Sequence, residues 1–232
     1  MTFPRLAGFP MAILALSFAP QTGRAEIQSF LIDPYYSQAI ILVPHYEVSR
    51  TGGMLGGFSG TIEYDTESMA DWSMDVTIPV STFISTHPPR TDAVKGAQLL
   101  DEANYPEIHF SCKSVQKKGN ENEYVAKGTI TICNVAKEVT FPMTVKGPKV
   151  DPFGNTRIGL DGALAVNRQD FGLPFDRKLP SGGAIVGDTV DIQFQVEGIR
   201  GTRGTKAPDM TQEKGTEPAP ETKSAETKSD GK

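Results

Sequence analysis

Trp72-Ser73-Met74-Asp75-Val76-Thr77-Ile78-Pro79-Val80 alternates large apolar side chains with small or polar ones without a break. A period of two puts Trp72, Met74, Val76, Ile78 and Val80 on one face of a pleated strand and their neighbours on the other. The same period returns along the chain. Val139, Phe141, Met143 and Val145 share one parity, and Ile158, Leu160, Leu164 and Val166 keep theirs through Gly162. Val190, Ile192, Phe194 and Val196 alternate with Asp191, Gln193, Gln195 and Glu197, the pattern of a strand with one wet face. Further runs predict strands over 39–48, 58–65, 108–115 and 124–132.

Between these runs, Thr51-Gly52-Gly53, Lys118-Gly119-Asn120, Asp151-Pro152-Phe153-Gly154-Asn155 and Pro180-Ser181-Gly182-Gly183 read as turns. Eight or so strands with short connections and one apolar face each predict an antiparallel sheet that must cover that face. Closure into a barrel or pairing as a sandwich removes the long unpaired edges. Glycines in or beside the runs, among them Gly60, Gly128, Gly159 and Gly162, mark bends or close approaches, and strand bending is what a barrel requires. The one helical candidate is 92–100, in the longer connection that Pro88-Pro89 and Tyr105-Pro106 bound. The fold class is all-β.

The ends of the 232-residue chain differ from its middle. Residues 1–25 carry Arg5, a weakly apolar run over 6–19 interrupted by Pro10, and Gly23-Arg24-Ala25, which together read as a secretory signal. The run is short of the roughly 20 residues a membrane span needs. Residues 200–232 hold Lys, Glu, Thr, Pro and Gly with Met210 as the one large apolar side chain, a composition too poor in burial to offset ordering entropy, so a disordered tail is expected. One domain remains, 26–199.

Charge and motifs narrow the chemistry. With 23 Lys+Arg against 28 Asp+Glu, the net charge of −5 lacks the basic excess that nucleic acid binding needs. His45, His87 and His109 lie in separate elements with no paired metal-ligand spacing, and no nucleophile elbow, phosphate-cradling loop or dinucleotide fingerprint occurs. Catalysis is disfavoured, and neither a metal nor a cofactor is expected. Cys112 and Cys133 are an even pair, which in an oxidising compartment argues for a disulfide, whereas their opposite parity relative to the apolar faces argues against one. His45 shares parity with Ala39, Ile41 and Val43, and reads as a hydrogen-bonded rim residue ahead of a ligand contact.

In order along the chain, Tyr36-Ser37, Ala39, Ile41, Val43 and His45, Gly57-Phe58 with Ile62 and Asp65, and Arg90 with Asp92 ahead of Leu99-Leu100-Asp101 form a set. Tyr105-Pro106 with Phe110, Gly128 with Ile130 and Ile132, Asn167-Arg168-Gln169-Asp170-Phe171-Gly172, and Val186-Gly187-Asp188 leading to Glu197 continue it. The set resembles the YceI-like family of bacterial periplasmic polyisoprenoid-binding proteins over about 32–197. The resemblance implies a lipocalin-like, eight-stranded antiparallel barrel with one short helix in a connection. Its apolar tunnel would hold the tail of an isoprenoid lipid, of the polyprenyl phosphate or quinone type, for sequestration or transport in the periplasm without turnover.

By parity, the tunnel candidates on the early strands are Ile41, Val43, Phe58, Ile62, Val76 and Ile78. Phe110, Ile130, Ile132, Phe141 and Met143 follow from the middle of the chain, and Leu160, Leu164, Ile192 and Phe194 from its last strands. His45, Arg90 and Asp92 are the polar candidates at the mouth. Tyr36 and Val94 stand where the family usually has His, removing polar groups that would meet a head group, and Asn134 replaces a turn Gly. Arg168 and Asp170 share strand parity and read as a structural ion pair ahead of a phosphate contact. Two other function classes stay open: an adaptor barrel recruiting a membrane-protein partner, and a lipid-modifying enzyme built on His45, Arg90 and Asp92. The sequence is equally compatible with a homo-oligomer.

Overall fold

The protein is described here by a computed structural model covering residues 27–65, 72–119, 122–173 and 175–200. The expected secretory signal and all but the first residue of the expected tail lie outside those residues. Ten strands form one sheet: β1 Ile27–Ile32, β2 Gln38–His45, β3 Ser49–Leu55, β4 Ser59–Asp65 and β5 Ser73–Pro79, then β6 Glu107–Lys117, β7 Glu123–Ile132, β8 Val135–Val150, β9 Thr156–Asn167 and β10 Thr189–Arg200. Every pairing is antiparallel, in the order β1-β4-β5-β6-β7-β8-β9-β10, and β1 returns to β10. The result is a closed eight-stranded barrel. The β2–β3 hairpin is added beside β10, whose residues 191–195 pair with β2 and whose residues 198–200 pair with β1.

The alternating runs occupy the strands they predicted, and their apolar parity points inward. Trp72, Met74, Val76 and Val80 are buried, as are Phe141, Met143, Val145, Ile158 and Leu160. Strand β2 stops earlier than the run 39–48 suggested. Tyr46 (φ 52°) and Glu47 (φ 59°) are both left-handed, which turns the chain at once, so Val48 sits in the hairpin loop with its N–H on the His45 carbonyl. Two left-handed residues match the twist of the flanking strands. Cys133 (φ 48°) and Asn134 (φ 61°) make the same turn between β7 and β8, the geometry for which Asn is a good substitute for Gly.

Several expectations are corrected. Thr51-Gly52-Gly53 is not a turn but the middle of β3, paired with residues 41–43 of β2. The glycines are there because the backbones crowd: a Cβ on Gly52 would fall on the Ile41 carbonyl oxygen. Gly52→Ala should therefore lower stability by about 1–3 kcal/mol, the usual range for overpacking, measurable by chemical unfolding with an unchanged slope. Helix α1 spans Pro88–Lys95, not 92–100. Pro88 and Pro89 begin it, since the first helical positions need no N–H partner.

The disulfide does not form. Cys112 lies opposite Gly128 on β7, five residues along from Cys133, roughly 16 Å of strand. Each thiol is free and half or fully buried: Cys112 Sγ donates to the Lys127 and Ser114 carbonyls, and Cys133 Sγ to those of Leu99 and Leu100. Burial raises the pKa of both.

One end of the barrel is solid. Phe30, Tyr64 and Trp72 stack with ring centroids 5.6 and 4.3 Å apart, and Tyr124 leans on Trp72 at 6.1 Å. Beside this stack, Arg157 of β9 ties together three elements. Its guanidinium donates to Asp33 after β1 (2.9 Å), to Asp151 in the β8–β9 hairpin (2.7 Å) and to Glu197 of β10 (2.6 Å). The Arg157 hydrogen bond holds the Asp151 carboxyl well below the ordinary aspartate range, helped by donors from Asn155 and Phe153. Burial opposes the charge of Arg157, but its three carboxylate partners outweigh that and raise its pKa.

Candidate functional site

The other half of the barrel is hollow. A chamber of about 650 Å³ opens at the end where β2 meets β3, and a narrower void of about 90 Å³ continues below it. Depth follows strand position. Val43, His45, Ile132, Val166 and Val190 face the upper chamber alone; Ala39, Ile78, Ile130 and Ile192 form a waist shared by both; Phe58, Ile62, Met74, Met143 and Leu160 face the lower void. The inward parity of successive strands, each taking one step down the axis every two residues, produces this ladder.

Of the tunnel candidates, Ile41, Val43, Ile78, Ile130, Ile132 and Ile192 reach the chamber, together with His45 and Arg90 at its mouth. Phe58, Ile62, Val76, Phe110 and Phe141 reach the lower void, as do Met143, Leu160, Leu164 and Phe194. Asp92 does not. It lies exposed on α1, whose Pro89, Arg90, Ala93 and Val94 take the side facing the chamber; with 3.6 residues per turn, Asp92 falls off that side. The trio of His45, Arg90 and Asp92 is therefore not assembled. His45 is half-buried against the Tyr46 ring, 3.9 Å between centroids.

The roof comes from connections, not strands. Helix α1 and the residues after it contribute Val94, Leu99 and Leu100, and the long β9–β10 connection contributes Phe171, Leu173 and Val186. Periodicity carries no information about such segments, so parity could not single them out, although Leu99-Leu100 and Phe171 stood in the resembling motifs. Arg168 explains how the second connection is held. Within the 3-10 turn Arg168–Phe171, capped by the Asn167 side chain and ended by left-handed Gly172, its side chain is buried and donates to the carbonyls of Leu173 (2.8 Å) and Gly187 (3.1 Å). Its ionic partner is Asp188, at 2.6 Å, and not Asp170, which is exposed. Asp170 loses the role because the chain leaves strand geometry at Arg168, so strand parity no longer applies.

Tyr36 is also relocated. Its ring lies under the Arg157 guanidinium, 5.5 Å away at the β1–β2 corner, away from the mouth. Its neighbour Ser37 bonds the Glu197 backbone, accepting from the N–H at 3.1 Å. Val94 is the departure that does touch the chamber. The roof and wall thus present an apolar, enclosed surface with imidazole and guanidinium groups confined to the rim, suited to a slender apolar molecule with a polar end. Among the described residues, no group of three or more His, Cys, Asp or Glu could hold a metal, and no helix is long and apolar enough to cross a membrane.

Comparison with known proteins finds the same fold. The YceI-like domain is matched over residues 30–198. A Pseudomonas putida protein named UPF0312 is 28% identical over 192 residues, 82% of this chain and 96% of its own. Protein YceI of Salmonella newport is 27% identical over 197 residues, 84% of this chain and 97% of its own. Burkholderia cenocepacia BcnA has a similar structure, with a TM-score of 0.61 and 26% identity, covering 72% of this chain and 98% of that one. A polyisoprenoid binding domain from Saccharophagus degradans, 13% identical, shares the fold with a TM-score of 0.57 over 76% of this chain and all of its own.

Proposed function

The chain belongs to the YceI-like domain family, and from that premise we propose that it binds the tail of an isoprenoid lipid in its barrel and sequesters or carries it, without catalysing a reaction. The observation that carries this reading is the chamber itself, whose volume falls in the range of small-molecule sites and whose walls are apolar from the waist to the roof. Each methylene moved from water into such a wall gains about 0.8 kcal/mol, so a long tail has ample driving force. The polyisoprenoid-binding description of the Saccharophagus degradans domain supports the same ligand class. The secretory pattern of residues 1–25 supports export, and the periplasm is the compartment that fits it.

Solvent extraction of the full-length protein purified from a bacterial periplasm, followed by mass spectrometry, tests the proposal. The expected result is a long-chain isoprenoid in near-stoichiometric amount. An extract free of isoprenoid, from a protein that also fails to bind added prenyl alcohols, would overturn it.

A further inference from the structure

At the lower edge of the waist the lumen is floored by three aromatic rings. Phe141 of β8 packs edge-on against Phe194 of β10, 5.4 Å between centroids, and tilts against Phe110 of β6 at 5.6 Å. Two of the three sit over glycines. Phe194 pairs directly with Gly162 on β9, and its ring lies where a Gly162 side chain would be: a Cβ there would come within 2.8 Å of Cε1 and closer still to Cζ. Phe110 covers Gly128 in the same way, with Cζ 2.7 Å from the place a Cβ would take.

Both rings therefore lie folded toward the wall, into notches that only glycine leaves open. All three line the lower void of about 90 Å³ and none lines the chamber of about 650 Å³ above it, so they stand where the lumen has narrowed. The notch sets how far each ring stands out into the lumen.

Resting on the isoprenoid reading above, we propose that Phe194 in its Gly162 notch, with Phe110 and Phe141, sets the length of apolar tail that the protein accepts. A tail seated from the mouth gains binding energy with each added unit until its tip meets the three rings. Beyond that point, once the chamber is filled, further units remain in water and add nothing. Phe194 and Gly162 act in opposite directions. Removing the ring widens the lower void beneath the waist, whereas a methyl group in the notch pushes the ring into the path of the tail. Because the first obstruction to that methyl group is the far end of a side chain, the ring is the part that yields; the Pro142 carbonyl oxygen, at 3.0 Å, is the tighter backbone neighbour.

The test measures dissociation constants of the full chain for two ladders of probes, n-alkanols and prenyl alcohols of increasing length, in the native protein and in Phe194→Ala, Phe194→Leu and Gly162→Ala. In the native protein, affinity should rise about four-fold per methylene and then break to a plateau. The break should move at least two methylenes longer in Phe194→Ala, less far in Phe194→Leu, and to shorter chains in Gly162→Ala. Circular dichroism reports whether each variant folds; if Phe194→Ala does not, the other two decide. A break at one unchanged length in all folded proteins overturns the proposal. Shifted breaks with n-alkanols and no binding of prenyl alcohols would sustain the gauge and overturn the isoprenoid reading, while a native protein that binds neither ladder would overturn both.

Discussion

Arg157→Met should lower the unfolding free energy by about 3 kcal/mol, the low end of what is lost when one partner is removed from a buried ion pair. The low end applies because Arg157 keeps 16% of its side-chain exposure. The loss is dominated by what stays behind: Asp33, with 1% of its side chain exposed, keeps the Tyr35 N–H as a donor but loses its cation. For a domain of this size each kcal/mol moves the midpoint by roughly 2–4 °C, so thermal unfolding should fall by about 10 °C. A change within two degrees would show that the cluster adds little to the fold.

The same cluster gives the acid limb of stability its sign. The folded pKa of Asp151 is depressed, so its contribution is complete above the ordinary aspartate value of 3.8 and is lost as the pH falls below it toward the folded value. Stability should therefore rise with pH through this acidic window in the native protein. The rise should be shallower in Arg157→Met, because the hydrogen bond that lowers the Asp151 pKa most is gone.

Ile41→Asp should lower affinity for a long-chain prenyl alcohol by two to three orders of magnitude. Ile41 is half-buried on β2, opposite Ile192, and faces the chamber. A carboxylate there must shed its hydration when a tail seats, at an effective expense of several kcal/mol. Because this side chain borders open lumen instead of packed core, the barrel should still form, which far-ultraviolet circular dichroism checks. Ile41→Val, a change of one methylene, should stay within several-fold of the native protein. Equal binding by all three would mean that tails do not enter the barrel.

How much of this was legible in the sequence follows from where period two applies. Each alternating run became a strand with its apolar face inward, and every wall residue chosen by parity lines the chamber or the void. Parity failed where the backbone is not a strand: Asp92 turned out of the mouth on α1, and Asp170 out of reach of Arg168 in a 3-10 turn. Strand β3 was hidden by its own glycines, which punctuate a turn in most sequences but here admit a neighbouring backbone. Strand β1 is short and adjoins a stretch read as a leader. The Arg157 cluster had no signature either, since residues 33, 151, 157 and 197 meet only once β1, β9 and β10 are adjacent.

The aromatic stack of Phe30, Tyr64, Trp72 and Tyr124 gives this vessel a base at the end opposite the mouth. A tail bound as proposed would not thread through that base: the last carbon in would be the first carbon out, and the polar head would stay nearest the mouth. If the protein carries such a tail as proposed, an acceptor would have to grip the head before the greasy remainder left shelter. Release on that reading would be a peeling motion past His45 and Arg90 at the rim.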